Sequence, residues 1–189
     1  MNKVLIIGSN SELAKSIIEK INKKKNKIYK LNKKNINFLY SNSKKKLFFL
    51  LKKINPDIII NCIGYFDTNK GDFNNIIKSN IYPTWILIQY YLINNNLKVK
   101  IISIGSSSYN KPRKNYILYA ASKTALNNMI ISSKELFLGT NIKINIINSP
   151  AFKSKLRTRV LKLLKRNKKK DKAISIKKIT DQILNKIKI

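Results

Sequence analysis

The chain has 189 residues, with 40 lysine and arginine residues against 8 acidic ones and a formal net charge of +32. This length suits a single domain that buries a full hydrophobic core. No histidine is present, which excludes histidine general bases, Ser-His-Asp triads and imidazole zinc sites. The single cysteine cannot form an internal disulfide, and the first residues lack the pattern of a signal peptide. We therefore expect a cytoplasmic protein without a membrane span.

The positive charge, taken alone, is typical of a protein that binds nucleic acid or an anionic surface. The cations comprise 36 lysines and only 4 arginines, and lysine, asparagine and isoleucine together fill 96 positions. A/T-rich codons encode these three residue types, whereas a protein that reads phosphates is expected to use more arginine. We attribute the charge chiefly to composition and predict no specific nucleic-acid partner. Binding to nucleic acid or an acidic partner remains an alternative function.

Short β-branched runs alternate with longer segments of helical period, which predicts a parallel sheet with crossover helices. The predicted fold is a single α/β domain that spans residues 1–189 and has about six parallel strands. Strands are predicted at 3–8, 27–31, 35–38, 57–62, 99–105 and 142–148. Helices are predicted at 11–23, 43–53, 72–94 and 118–138, with a final helix up to Ile187 for which Ser175 is the candidate cap.

The segment 157–172 is strongly basic, with nine cations around a small apolar patch. Two interpretations stay open: a basic amphipathic helix that lies over a site, and a solvated loop, which is the favoured one. Such a segment could also guide an anionic substrate towards a site.

The run from Gly8 to Ala14 lies between the first predicted strand and the first predicted helix. A tight turn at this point directs backbone N–H groups and the positive helix end at a bound phosphate. Gly8 is the one glycine that remains of a G-x-x-x-G-x-G pattern, because Glu12 and Ala14 occupy the other two positions. The turn therefore indicates a dinucleotide site only in combination with other signals.

Tyr119 and Lys123 lie four residues apart in a predicted helix, so both side chains are on one helix face. A nearby cation favours the phenolate, and Lys123 is expected to lower the pKa of Tyr119 towards the range of a general acid/base. Ser106 follows a predicted buried strand, and the run from Asn61 to Gly64 ends another. Both strand ends are expected at the carboxyl edge of the sheet, where open α/β sheets bind ligands.

These residues together resemble the short-chain dehydrogenase/reductase family. Its motifs occur in order as the glycine turn, Asn61-Cys62-Ile63-Gly64, Asn80, Ser106, Tyr119-x-x-x-Lys123 and Ser149-Pro150-Ala151. The resemblance covers essentially the whole chain and implies a Rossmann-like, doubly wound, three-layer α/β/α fold. It also implies an oxidoreductase that moves hydride between a nicotinamide and a carbonyl or alcohol carbon. The alternative is a non-catalytic, regulatory dinucleotide-binding module, which the incomplete glycine turn favours.

The resemblance also implies the roles of individual residues. Tyr119 is the proton donor or acceptor, and Lys123 binds the nicotinamide ribose and lowers the pKa of Tyr119. Ser106 hydrogen-bonds the substrate oxygen, and Asn80 holds the water path that reprotonates Tyr119. The implied cofactor-binding residues are Gly8, Ser9, Asn10, Ser11, Glu12, Leu13, Asn32, Lys33, Asn37, Asn61, Cys62, Ile63, Gly64, Tyr119, Lys123, Pro150 and Phe152.

Cofactor choice depends on the residues that follow the second strand. The run from Lys30 to Lys34 contains no acid to bind an adenosine ribose, and Lys33 can neutralise a 2′-phosphate, so NADP(H) is favoured over NAD(H). Asn37 stands where the family usually has an aspartate. The chain is expected to lack the family's last strand, which makes a family-like tetramer less favourable and a homodimer through the helices at 72–94 and 118–138 the expected assembly.

Overall fold

A computed structural model of the protein describes residues 1–165 and 173–187. In this part of the chain the sheet comprises β1 (Asn2–Ile7), β2 (Asn26–Leu31), β3 (Ile58–Asn61), β4 (Val99–Ile104) and β5 (Ile142–Ile147). All neighbouring strands are parallel, in the order β2-β1-β3-β4-β5. The helices are α1 (Glu12–Lys20), α2 (Ser43–Ile54), α3 (Phe73–Asn80), α4 (Tyr82–Ile93), α5 (Ile117–Leu136), α6 (Lys155–Leu163) and α7 (Ile176–Ile187).

Alternate residues of each strand contribute to two separate hydrophobic cores, one on each face of the sheet. Leu5, Ile59 and Ile101 pack in the core that also contains side chains of α2, α4 and α5. Ile6 and Ile60 pack in the opposite core, together with side chains of α1 and α7. Because side chains point to opposite faces at a period of two, continuous isoleucine runs cover both faces of a buried parallel sheet. The predicted three-layer α/β/α fold is confirmed.

The five strands come close to the six that were expected, and the difference lies at 35–38. Residues in this segment form turns rather than a strand. The Asn35 side chain accepts a hydrogen bond from the Asn32 N–H, and the Asn37 side chain accepts one from the Leu39 N–H. Asparagine side chains that bond nearby backbone groups compete with sheet formation, so the local apolar alternation at Ile36 and Phe38 does not produce a strand.

The single helix predicted at 72–94 is two helices, α3 and α4, with a break at Ile81. Pro83 lies in the first turn of α4, where a missing N–H is tolerated. A proline disfavours helical backbone at the residue before it, so a continuous helix from α3 into α4 is unfavourable. Asp72 caps α3 by accepting a hydrogen bond from the Asn75 N–H. The break places Asn80, the last residue of α3, in a buried position beside the carboxyl edge of the sheet.

Serine side chains fix the start of three other helices. Ser11 caps α1, Ser154 caps α6, and Ser175 accepts a hydrogen bond from the Lys178 N–H, as predicted for the final helix. Residues 157–163 of the basic segment 157–172 belong to α6, so the helical interpretation fits them better than the favoured loop. Residues 164 and 165 form a turn, and positions 166–172 lie outside the described residues. No helix in the described ranges combines the length and apolar character needed to cross a bilayer.

Candidate functional site

The carboxyl ends of the strands border two neighbouring depressions. The first, which we call the β1–β3 crevice, has a volume of about 290 Å³ and lies where the chain connections leave β1 and β3 in opposite directions. The second, the β4 cavity, has a volume of about 230 Å³ and follows the ends of β4 and β5. Ligands of open α/β sheets bind at this kind of switch point, so the position of both depressions matches the predicted edge.

Nine of the predicted cofactor-binding residues line the β1–β3 crevice. They are Gly8, Asn10, Ser11, Asn32, Lys33, Asn37, Cys62, Ile63 and Gly64. The sequence motifs did not mark Ser79 or the apolar walls of the crevice, which come from the ends of β1 and β2 and from the turns after β2. Only the position of these residues in the fold identifies them.

Gly8 has a backbone conformation that residues with side chains rarely adopt, and little space surrounds its Cα. Its φ is +78°, and a Cβ at this position would lie 3.0 Å from both Ile63 Cγ1 and the Ile63 backbone nitrogen. The Gly8 and Ser9 N–H groups are held by the Leu31 carbonyl, at 2.8 and 3.0 Å. The first N–H groups of α1 have no partner within the helix and carry its positive end. This turn fits the pyrophosphate of a dinucleotide.

Three predicted cofactor residues do not line the crevice but shape it. Ser9 is buried in the turn, and Leu13 is part of the core between α1 and the sheet. Asn61 is buried, donates to the Thr84 hydroxyl at 3.0 Å, and accepts from the Ile63 N–H at 3.1 Å. Asn61 therefore fixes the path of the loop after β3, which forms one wall of the crevice.

Glu12 contacts a different part of the protein from the one the sequence suggested. Its carboxylate accepts a hydrogen bond from the Lys155 N–H, at the start of α6. A carboxylate is favourable at a helix N-terminus, and this one lies at the beginning of both α1 and α6. Glu12, which stands in place of a family glycine, thus links the turn after β1 to α6, and α6 borders the β4 cavity.

The β4 cavity contains the predicted catalytic hydroxyls. Ser106 and Tyr119 line it, as do the predicted residues Pro150 and Phe152. Phe66 packs against the Tyr119 ring with centroids 4.9 Å apart. The cavity is also lined by Arg113, Leu156, Arg157 and Val160, which belong to none of the sequence motifs, and by Ser149 of the Ser149-Pro150-Ala151 motif.

The Tyr119 phenol is set in a partly buried position beside the Ser106 hydroxyl. Burial raises the pKa of Tyr119, while the hydrogen bond with Ser106 acts in the opposite direction. Lys123 is not among the groups that shift the pKa of Tyr119, so the expected lowering by Lys123 is not what this structure gives. Desolvation outweighs the effect of the Ser106 hydrogen bond on the pKa of Tyr119, because a phenolate loses more hydration on burial than a phenol. Tyr119 therefore holds its proton at neutral pH.

Lys123 is buried, with 2% of its surface exposed. Its Nζ donates to the Ile104 carbonyl at 3.3 Å, and a Cβ built on Gly64 would lie 3.8 Å from the same nitrogen. Gly64 lines the crevice while Tyr119 lines the cavity, so the ammonium lies at the junction of the two depressions. Burial lowers the pKa of Lys123 to about 8.

The buried ammonium of Lys123 has a measurable effect on stability. Because its folded-state pKa of about 8 is below the ~10.4 of an unfolded lysine, the unfolded state binds more protons between these two values. The contribution of Lys123 to the free energy of unfolding is therefore unfavourable below pH 8 and becomes less so as the pH rises. We expect Lys123→Met to be more stable than wild type at pH 7, by up to about 3 kcal/mol from this charge effect, and the gap to shrink towards pH 10.

Urea denaturation of both proteins at several pH values tests this expectation. Lys134→Met, which removes an exposed lysine from the same helix, is the matched control and is expected to follow wild type. A difference between wild type and Lys123→Met that stays constant from neutral to alkaline pH contradicts the lowered pKa.

The side-chain nitrogen and oxygen of Asn80 are both hydrogen-bonded to protein groups. Its amide donates to the Tyr65 carbonyl and the Ser122 hydroxyl, both at 2.9 Å, and its oxygen accepts from the Tyr65 N–H at 2.8 Å. Ser122 in turn donates to the Tyr119 carbonyl at 2.7 Å. The Asn80 side chain therefore connects the loop after β3 to the helix that carries Tyr119. The sequence offered no signal for Ser122, which is buried at this connection.

The fold is similar to solved short-chain dehydrogenases. A short chain dehydrogenase family protein from Francisella tularensis gives a TM-score of 0.82 at 15% identity, over 97% of this chain and 90% of that one. A short chain dehydrogenase from Burkholderia cenocepacia in complex with NADP gives 0.81 at 12% identity, over 100% and 84%. A 4-hydroxyisoleucine dehydrogenase complexed with NADH gives 0.79 at 24% identity, over 98% and 90%. No curated protein sequence matches the chain.

The sequence profile of the short chain dehydrogenase family matches residues 2–164, which is most of the chain. The order of the parallel strands agrees with that match. The chain belongs to the short-chain dehydrogenase family.

Proposed function

We propose that the protein is an NAD(P)H-dependent oxidoreductase that transfers hydride between nicotinamide C4 and a carbonyl or alcohol carbon, with Tyr119 as the general acid/base. The observation that carries this proposal is the hydrogen bond between the Ser106 and Tyr119 hydroxyls in the β4 cavity. The buried Lys123 and the β1–β3 crevice lie next to this pair. A phenol and a hydroxyl that point at one oxygen stabilise developing alkoxide charge without a metal.

Each residue has a defined part in reduction of a carbonyl. A reduced nicotinamide held in the crevice would supply the hydride, with its two electrons, that the carbonyl carbon needs. Tyr119 donates its proton to the carbonyl oxygen, so that C=O becomes CH–OH, and Ser106 donates a hydrogen bond to the same oxygen. Lys123 binds the ribose next to the nicotinamide and, as an ammonium, favours the phenolate that Tyr119 leaves behind.

Asn80 is a positioning residue in this proposal. The bonds from Asn80 to Tyr65 and Ser122 hold the loop of the crevice against the first turns of α5. The water path assigned to Asn80 by family resemblance then depends on groups other than its fully bonded side-chain amide.

The direct test is consumption of NADPH and NADH, followed by the absorbance of the reduced nicotinamide, with a panel of aldehydes, ketones and oxo acids. Saturable turnover supports the proposal. Binding of the dinucleotide without turnover of any compound would instead support the alternative, a non-catalytic regulatory module.

We further propose that NADP(H) is favoured over NAD(H). Lys33 is an exposed cation that lines the crevice beyond the end of β2, and no acidic residue lines this crevice within the described part of the chain. A 2′-phosphate gains from a nearby cation, whereas a free ribose hydroxyl gains from a carboxylate. The Lys33→Glu variant is therefore expected to lower the affinity for NADPH relative to NADH by about tenfold or more.

Calorimetric dissociation constants for both dinucleotides measure this preference. Lys34→Glu makes the same charge change at an exposed neighbour that does not line the crevice, and is expected to leave the preference unchanged. If both variants change the preference equally, the effect belongs to the overall charge and not to a phosphate site at Lys33.

The predicted homodimer has candidate apolar contacts on α4 and α5. Trp85 and Leu92 lie two turns apart on α4 with 41% and 39% of their surfaces exposed, and Ile131 of α5 is 49% exposed. We propose that these residues meet their counterparts in a second copy. Light scattering is expected to give the mass of a dimer for wild type and of a monomer for Trp85→Lys. Leu163→Lys, at an exposed leucine of α6, is the control and should stay dimeric.

A further inference from the structure

The arginines of this chain are concentrated at the β4 cavity. Four of the 40 cationic residues are arginines, and two of these, Arg113 and Arg157, line this cavity. Within the described part of the chain, no lysine and no acidic residue lines it. Nearly all the positive charge of the protein comes from lysine, yet the cations that line the β4 cavity are arginines. Arginine, unlike lysine, can bind an anion through two parallel hydrogen bonds.

The Arg113 guanidinium has a hydrogen-bond donor, the Nε–H group, that no protein atom of the described residues accepts. Its Nε is buried and has no hydrogen-bond partner, and its guanidinium carbon lies 6.0 Å from the centroid of the Tyr116 ring. A buried N–H group without an acceptor destabilises the folded protein, and a ligand atom that accepts its hydrogen bond removes this cost. In the described residues the ion pair of the chain joins Lys20 and Asp181, and no carboxylate pairs with Arg113.

Arg157 approaches the same cavity from a different element. It lies in the first turn of α6, where its N–H bonds the Ser154 hydroxyl at 3.1 Å. Val160 of the same helix packs with Phe66 and Tyr116, which fixes α6 over the cavity. Before α6, the backbones of Ala151 and Lys153 are hydrogen-bonded to the backbone of Ile174. Two arginines from separate elements thus border the space in front of Ser106 and Tyr119.

We propose that Arg113 and Arg157 bind a carboxylate of the substrate, so that the protein reduces compact oxo acids or oxidises the corresponding hydroxy acids. This inference rests on the proposed function, because the carboxylate is placed relative to the carbonyl that Ser106 and Tyr119 bind. The cavity volume of about 230 Å³ is below the ~300–1,000 Å³ of typical pockets for drug-sized ligands, which favours a short carbon chain. The carboxylate is unchanged in the reaction: hydride adds to the carbonyl carbon, and the Tyr119 proton adds to its oxygen.

The test compares acids with their uncharged esters. Pyruvate, acetoacetate and levulinate separate the carbonyl from the carboxylate by increasing distances, and their methyl esters retain each carbon skeleton. Binding to the protein with NADP⁺ present is measured by saturation-transfer NMR, and turnover by NADPH consumption. At least one acid is expected to bind about ten- to a hundredfold more tightly than its ester.

The variants assign that preference to the cavity. Arg113→Met and, separately, Arg157→Met are expected to weaken acid binding about tenfold or more and to leave ester binding unchanged. Arg113→Lys keeps the charge and is expected to recover part of the loss, because lysine lacks the bidentate fork. Lys111→Met removes an exposed cation from the same loop, outside the cavity, and is expected to behave as wild type.

The outcomes separate this proposal from the proposed function. Acid binding that depends on Arg113, without turnover of any acid or ester, retains the carboxylate site and rejects hydride transfer. Turnover of esters and acids with equal KM, unaffected by Arg113→Met, retains hydride transfer and overturns the carboxylate site. Absence of arginine-dependent binding by all three acids also overturns it. Dihydroxyacetone phosphate is included, and arginine-dependent binding of this compound alone would show that the cavity accepts a phosphate instead.

Discussion

Replacing Tyr119 with phenylalanine is expected to lower kcat by about 10²- to 10⁴-fold, the range contributed by a general acid. In the proposed mechanism the phenol is the proton donor of the β4 cavity. It is hydrogen-bonded to Ser106, and burial raises its pKa so that the proton is present at neutral pH. Phenylalanine keeps the ring that packs 4.9 Å from Phe66. The variant is therefore expected to retain the fold and the affinity for NADPH while losing turnover.

Tyr116→Phe is the matched control for this change. Tyr116 lines the same cavity, and its ring also packs against Phe66, but it has no role in proton transfer in the proposed mechanism. The two variants remove the same atom from neighbouring tyrosines, so a general loss of packing affects both. Steady-state kinetics with NADPH in excess distinguishes them, and a Tyr119→Phe enzyme with the kcat of the Tyr116→Phe enzyme excludes Tyr119 as the acid.

Replacing Gly8 with valine is expected to abolish the stabilisation of the protein by NADP⁺. The φ of +78° at Gly8 is strained for a β-branched residue, and a Cβ would lie 3.0 Å from Ile63 and 3.1 Å from the Cys62 carbonyl carbon. Relief of these contacts moves the loop after β3, which is a wall of the crevice. A ligand that binds only the folded state raises Tm by an amount that grows with its affinity, so thermal unfolding with and without NADP⁺ measures the loss.

Gly139→Val separates backbone strain from damage to the site. Gly139 has nearly the same φ, +75°, but a Cβ at this position would have no other atom within 4 Å, and the residue lies in the turn after α5. Both variants are expected to lose Tm from the unfavourable φ, but only Gly8→Val is expected to lose the additional shift on NADP⁺ addition. An unchanged NADP⁺ shift in Gly8→Val would mean that the turn at Gly8 does not hold the dinucleotide.

The sequence was sufficient to predict the layers and the edge of the site. Isoleucine runs such as the one at 58–60 have no polar alternation, which indicates strands that are covered on both faces. Once the strands are parallel, their carboxyl ends meet at one edge, and this fixes the neighbourhood of Gly8, Gly64 and Ser106 without any knowledge of contacts. The strand predicted at 35–38 was wrong because asparagine side-chain bonds to the backbone overrode a short apolar alternation.

The interior of the site could not be predicted in the same way. Glu12 bonds the Lys155 N–H, 143 positions further along the chain, and no local pattern encodes such a contact. The sign of the pKa shift at Tyr119 depends on how far the phenol is buried, which spacing from Lys123 does not reveal. Arg113 is one cation among 40 in the sequence and becomes informative only when its buried Nε is found beside the reacting hydroxyls.

Titration of the wild-type protein with NADPH and with NADH, followed by nicotinamide fluorescence in moderate salt, tests the central claim most directly. The residues that would hold the dinucleotide line the β1–β3 crevice, and Lys123 lies where this crevice meets the β4 cavity. We therefore predict a saturable rise in fluorescence, stronger binding of NADPH than of NADH, and displacement by NADP⁺. Fluorescence that increases only in proportion to added NADPH and NADH, without saturation, would contradict this binding site.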